Sequence, residues 1–96
     1  MDPTGLPPDR TLRIRLRYLS ALRDRTGLRE ETVLLPEGSG LQELAAWLAR
    51  ERALKLPDPT VMAILNGRGW GQYAEGLNTK LREGDEVALF PVVGGG

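Results

Sequence analysis

Ninety-six residues, 41% of them hydrophobic, suffice for one domain with its own core but not for a cavity around a large cofactor. Thirteen basic and thirteen acidic side chains cancel, which removes any overall pull toward nucleic acid or anionic membrane. Cysteine and histidine are both absent, and with them go thiol nucleophiles, disulfides, Cys/His zinc sites and the usual general base for neutral pH.

Residues 1–10 hold three prolines and a glycine and no apolar core of a leader peptide, so they are read as a flexible N-terminal segment. No stretch approaches the roughly 18 apolar residues of a membrane span, and a soluble, cytoplasmic protein is expected. Residues 11–18 alternate strictly, with Leu12, Ile14 and Leu16 on one face and Arg13, Arg15 and Arg17 on the other, the period-two pattern of a half-buried strand. The three arginines are a candidate patch for an acidic partner or phosphate, although charges opposite a buried face are more often simply solvated. Residues 19–26 read as a short helix or turn ended by Gly27, and residues 31–35 as a second strand closed by Pro36 and paired with the first.

Ser39 followed by Gln42 matches a capping box, so a helix is expected to begin there. Leu41, Leu44, Ala45 and Leu48 then form one apolar stripe that must lie on a sheet, with Trp47 at its edge. The helix fades by residues 54–56, because Pro57 and Pro59 cannot continue it. The apolar run at residues 61–65 suits a central strand, turned by Asn66-Gly67. Residues 68–76, with three glycines, Trp70 and Tyr73, read as an irregular excursion or a weak short strand; Trp70 has no assigned role beyond an interface or the cover of an apolar edge. No phosphate-loop motif is present. Arg82-Glu83-Gly84-Asp85 is a tight turn and residues 86–90 the last strand. The order β-β-α-β-short element-β, one main helix crossing one mixed sheet, is an α+β layout of the ubiquitin-like β-grasp type. The paired acids Asp85-Glu86 and Glu30-Glu31 sit beside turns and strand starts, where exposed carboxylates are ordinary, and carry little weight as an acid/base site. The expected organisation is a flexible segment 1–10, a β-grasp domain 11–93 and a flexible glycine tail 94–96.

That tail is the candidate functional element. Glycine has no Cβ, so Gly94-Gly95-Gly96 can thread a narrow channel and present an unhindered carboxyl carbon to another protein. A terminal carboxylate is ionised at neutral pH and needs activation, most simply as an acyl-adenylate.

The ending from Leu81-Arg82-Glu83-Gly84-Asp85-Glu86-Val87 through Phe90-Pro91-Val92-Val93-Gly94-Gly95-Gly96 resembles that of MoaD-type sulfur carriers of the MoaD/ThiS family, the small subunit of molybdopterin synthase. Arg17-Tyr18-Leu19-Ser20-Ala21-Leu22-Arg23, Thr26-Gly27, Leu35-Pro36-Glu37-Gly38 and Ile64-Leu65-Asn66-Gly67 resemble the same family in the same order. The resemblance implies that Gly96 is adenylated by a MoeB-type, E1-like enzyme that consumes ATP. The carboxyl then becomes a thiocarboxylate that donates sulfur to precursor Z in molybdenum cofactor biosynthesis. It also implies a MoaE-type large subunit that holds the active site and receives the tail, so the chain is a sulfur-donating subunit rather than a catalyst alone. Gly94 and Gly95 would serve tail insertion, and Phe90, Pro91, Val92 and Val93 the partner interface. No cofactor or metal is implied on the chain itself. Gly94 departs from the pattern, standing where many members carry threonine, serine or alanine. Sister carriers for thiazole synthesis, tRNA thiolation or cysteine formation share the tail chemistry, as does a protein-conjugating modifier. A binding module using Arg13, Arg15 and Arg17 is the alternative of another class, with nucleic acid disfavoured by the zero net charge.

Overall fold

The computed structural model describes residues 10–92. Most of the N-terminal segment, and Val93 with the three tail glycines, lie outside the described residues.

β1 (Thr11–Tyr18) forms where the alternation is strict, and Ile14, Leu16 and Tyr18 on its inner face are fully buried. β2 (Glu30–Pro36) pairs with it antiparallel over seven residues, Thr11 opposite Pro36 and Arg17 opposite Glu30. Between them α1 (Ala21–Thr26) is a short helix closed by Gly27 at φ 77°, a left-handed conformation that costs glycine little. The Gly27 N–H donates to the Arg23 carbonyl at 2.8 Å.

α2 (Leu41–Arg52) is the main helix, and it buries Leu41, Leu44, Ala45 and Leu48 against the sheet as the stripe requires. Each such leucine contributes about 1.5–3 kcal/mol by leaving water. The helix starts later than the Ser39/Gln42 pair predicts. Gly40 is the N-cap residue, and its N–H donates to Glu43 Oε1 at 2.6 Å, so the reciprocal carboxylate arm of a cap comes from Glu43. The cause is tertiary: Gly40 bridges Lys80, the Leu41 N–H donates to the Thr79 carbonyl at 2.9 Å, and the Leu81 N–H donates to the Ser39 carbonyl at 2.9 Å. That pairing holds Gly40 extended. α2 ends at Arg52, with Ala53 left-handed at φ 56° before the proline-containing loop.

β3 (Val61–Leu65) turns through Asn66 and Gly67, both at positive φ, into β4 (Arg68–Gly69), a strand of only two residues. β3 alternates rather than burying every residue: Val61, Ala63 and Leu65 face the core, while Met62 is 41% exposed. The chain then makes two 3-10 turns, Trp70–Gln72 and Gly76–Asn78. Trp70 is a core residue, 8% exposed, not a surface cover. β5 (Glu86–Pro91) runs parallel to β1 and antiparallel to β3, which gives a five-stranded mixed sheet in the order β2-β1-β5-β3-β4. With α2 on one face, this is the ubiquitin-like β-grasp layout. First and last strands thus lie side by side in the middle of the sheet.

Candidate functional site: the root of the glycine tail

β5 carries the chain to its glycines, and both neighbouring strands hold it. Val87 and Leu89 are fully buried, and Ala88 and Phe90 alternate onto the opposite, outer face. Phe90 stands opposite Met62 and Pro91 opposite Val61, and the Val92 N–H donates to the Thr60 carbonyl at 2.9 Å. Those pairings put Pro91 at a register position where its missing N–H removes no bond to β3, the place a strand tolerates proline. The backbone is therefore fixed by sheet pairing as far as Val92, which is 42% exposed. Of the residues singled out in the sequence, Phe90, Pro91 and Val92 are brought together at this end of β5; Val93, Gly94, Gly95 and Gly96 lie outside the described residues. Phe90 does not close the core, because its strand position faces outward.

The outer face of the sheet is divided. On β5 and β3, Ala88, Phe90, Met62 and Ile64 share one apolar strip beside the tail root. On β1 the three arginines each have an acidic neighbour: Arg13 Nε lies 2.7 Å from Glu83, Arg15 Nε 3.6 Å from Glu30 and Arg17 Nη1 3.8 Å from Glu86. Glu83 also accepts the Arg13 backbone N–H at 2.9 Å, and these two donors hold its carboxyl below the usual carboxylate range. Paired and exposed, these arginines form a solvated face rather than an anion-binding cradle.

One partly buried ionic cluster exists among the described residues. Glu31 on β2 receives Arg52 of α2 through Nε at 2.8 Å and Nη2 at 2.6 Å, and it accepts the Tyr18 hydroxyl of β1 at 2.5 Å. Arg52 also lies 5.0 Å from the Trp47 ring. The fork from Arg52 is the main cause that holds the Glu31 carboxyl below its ordinary value, while burial, then Glu31 itself, push the Tyr18 hydroxyl up. Arg52 also donates from Nη1 to the Glu51 carbonyl at 2.9 Å, and the cluster ties β1, β2 and α2 together. Sequence reasoning missed it, since only the register Tyr18–Glu31–Arg52 across three elements reveals it.

No group of His, Cys, Asp and Glu suited to a metal occurs among the described residues, and no helix among them is long and apolar enough to cross a membrane. One concavity, about 830 Å³, is an open polar groove over α1 and the turn after it, and no residue of β5 lines it. What the described residues supply here is a rigid sheet base that holds the backbone as far as Val92.

Comparison with known proteins agrees with that architecture. The sequence matches the ThiS family over residues 16–96. A protein of Archaeoglobus fulgidus called a putative sulfur carrier protein is 50% identical over 38 residues, which span 40% of this chain and 42% of that relative's length. The structure of the putative molybdopterin converting factor subunit 1 from Pyrococcus furiosus is 25% identical and superposes with a TM-score of 0.69, covering 85% of this chain and 99% of that one. A molybdopterin-converting factor from Helicobacter pylori, solved as a complex of subunits 1 and 2, is 27% identical with a TM-score of 0.58, covering 88% and 100%. The small archaeal modifier protein SAMP1 of Haloferax volcanii, at 22% identity and a TM-score of 0.69 over 88% and 99%, shares the fold. The family match extends from the middle of β1 through the tail, so the chain belongs to the ThiS family.

Proposed function

We propose that this chain is a cytoplasmic sulfur carrier and the small subunit of a molybdopterin synthase, with the Gly96 carboxyl as its reactive group. The observation that carries the reading is the anchoring of β5 as far as Val92, one residue short of a glycine terminus that falls within the family match. Four extended residues reach at most about 14 Å, enough to enter a partner's active site while the sheet stays outside. Phe90, Pro91, Val92 and Val93 form the base on which that partner seats, and Gly94 and Gly95 keep the inserted segment slim. The solved pairing of subunits 1 and 2 in Helicobacter pylori supports a large MoaE-type subunit as the receiving partner.

The chemistry balances step by step. A Gly96 carboxylate oxygen attacks the α-phosphorus of ATP on a MoeB-type enzyme, pyrophosphate leaves, and an acyl-adenylate forms. A persulfide sulfur on a donor protein displaces AMP, and a thiol reduces the resulting S–S bond to release the thiocarboxylate. Transfer of that sulfur to precursor Z on the large subunit, with water supplying oxygen, returns the carboxylate. The chain needs no cofactor of its own for these steps.

Intact-protein mass spectrometry after incubation with ATP, a MoeB-type enzyme and a persulfide source should show one oxygen exchanged for sulfur. Adding a MoaE-type subunit and precursor Z should return the original mass. A thiocarboxylate that the large subunit leaves untouched would assign the chain to a sister carrier. Sulfur loading that persists, without trimming, after a residue is appended to Gly96 would refute the mechanism.

A further inference from the structure

At the end of the sheet where β5 begins, a concavity of about 310 Å³ is lined by Asn66, Tyr73, Thr79, Lys80, Arg82 and Asp85, a volume at the lower end of ordinary small-molecule sites. The rise of β5 from Asp85 to Val92 sets it about 20 Å from the tail root. Its positive charge is unspent. The Lys80 ammonium donates to the Gly38 carbonyl at 3.1 Å, the Arg82 guanidinium meets no acceptor, and neither cation has a carboxylate partner among the described residues. Asp85 is the acid in the lining, and both its oxygens are committed: Oδ1 accepts Asn66 Nδ2 at 3.0 Å and Oδ2 accepts the Arg82 backbone N–H at 2.8 Å. The outer face of β1 differs, since each of its three arginines has an acidic neighbour. The walls are also fixed in advance. Asn66 Oδ1 accepts the Glu86 N–H at 3.0 Å, the Tyr73 hydroxyl donates to the Leu65 carbonyl at 2.5 Å, and the Thr79 hydroxyl donates to the Gly76 carbonyl at 2.6 Å.

We propose that this concavity binds a phosphate group between the Lys80 ammonium and the Arg82 guanidinium, with the second Asn66 amide N–H as a further donor. Two cations against one committed carboxylate favour an anion. A guanidinium offers a rigid fork of donors and an ammonium a compact point charge, a pairing that suits an oxyanion with several acceptor oxygens. Arg68, whose guanidinium lies 4.9 Å from the Tyr73 ring in the wall, adds to the same positive field. A site whose side chains are already held pays less to order them when a ligand arrives. Both cations are exposed, which keeps the affinity modest, with a dissociation constant of about a millimolar. The site owes nothing to the tail, so it stands whether or not the chain carries sulfur.

Nitrogen–proton spectra of the labelled full chain, titrated with inorganic phosphate against chloride at constant ionic strength, test this. Saturable shifts are expected at the Asn66 side-chain amide and at the backbone amides of Lys80, Arg82 and Asp85, with Arg13, Arg15 and Arg17 left in place. Lys80→Gln and Arg82→Gln should each weaken binding by about fivefold or more, and both together should abolish saturation. Arg15→Gln removes the same charge from the outer face of β1 and should change nothing, so it separates a built site from the general field of the molecule. Ribose 5-phosphate, as a second probe, distinguishes the source: tighter binding than inorganic phosphate assigns the site to a phosphorylated small molecule, and equal binding to free phosphate. Shifts that do not saturate in the wild-type chain overturn the proposal without recourse to any variant. So does an Arg15→Gln protein that loses as much affinity as Arg82→Gln.

Discussion

Glu31 is a carboxylate whose oxygens accept from a guanidinium fork and a phenol at once, in a setting where its side chain is 16% exposed. Its depressed pKa fixes the sign of a pH effect: the stabilisation is fully present above the unfolded carboxylate value of about 4.3 and is lost as pH falls through the lower folded value. Tyr18 has the opposite sign. Its hydroxyl is raised, so its share is intact below about pH 10 and declines in stronger alkali. Glu31→Gln should cost about 1–3 kcal/mol near neutrality, because it removes the charge facing Arg52 in a partly buried site. Urea denaturation at pH 7 and again near pH 2 would check this: the gap to wild type should close at the acid end. A gap independent of pH would mean that the loss is one of shape rather than charge.

At the level of elements, the tightest joint is between the start of α2 and the strand-like segment before β5. A Cβ on Gly40 would stand 2.8 Å from the Thr79 carbonyl oxygen, a backbone atom that has no room to retreat while the Leu41 N–H is bonded to it. Gly40→Ala should therefore destabilise by about 1–3 kcal/mol despite alanine's better helix propensity, and thermal melting would show it. The same joint marks how far the sequence could be read. Alternation in β1, the stripe of α2, the Asn66-Gly67 turn and the Gly84 turn are encoded by neighbours in sequence, and each stands where the pattern predicts. The cap of α2 was displaced by one residue because its decisive contact, Thr79, is remote. Trp70 was illegible for the same reason: two glycines flank it, and nothing local says that the 3-10 turn folds its ring inward. At the candidate site, the position of Phe90, Pro91 and Val92 at the end of the last strand could be read directly. The outward aim of Phe90 and its pairing with Met62 depend on register and could not.

For the whole molecule, the division of labour is between a sheet that closes at Val92 and a tail that begins after it. Removing Gly95 and Gly96 should leave the melting temperature unchanged, since no described contact of the core depends on them, while abolishing thiocarboxylate formation. Calorimetry alongside mass spectrometry would separate these outcomes, and a marked loss of stability would show that the tail packs on the domain. The central position of β5 has a further consequence, for the timing of synthesis. Arg13 and Glu83, which meet at the entry to β5, are 70 residues apart in sequence, and the parallel pairing of β1 with β5 cannot form until the last strand has left the ribosome. On the carrier reading, the segment that completes the sheet is continuous with the one that bears the reactive carboxyl. An unfinished chain therefore has neither a closed sheet nor, on that reading, an end to activate.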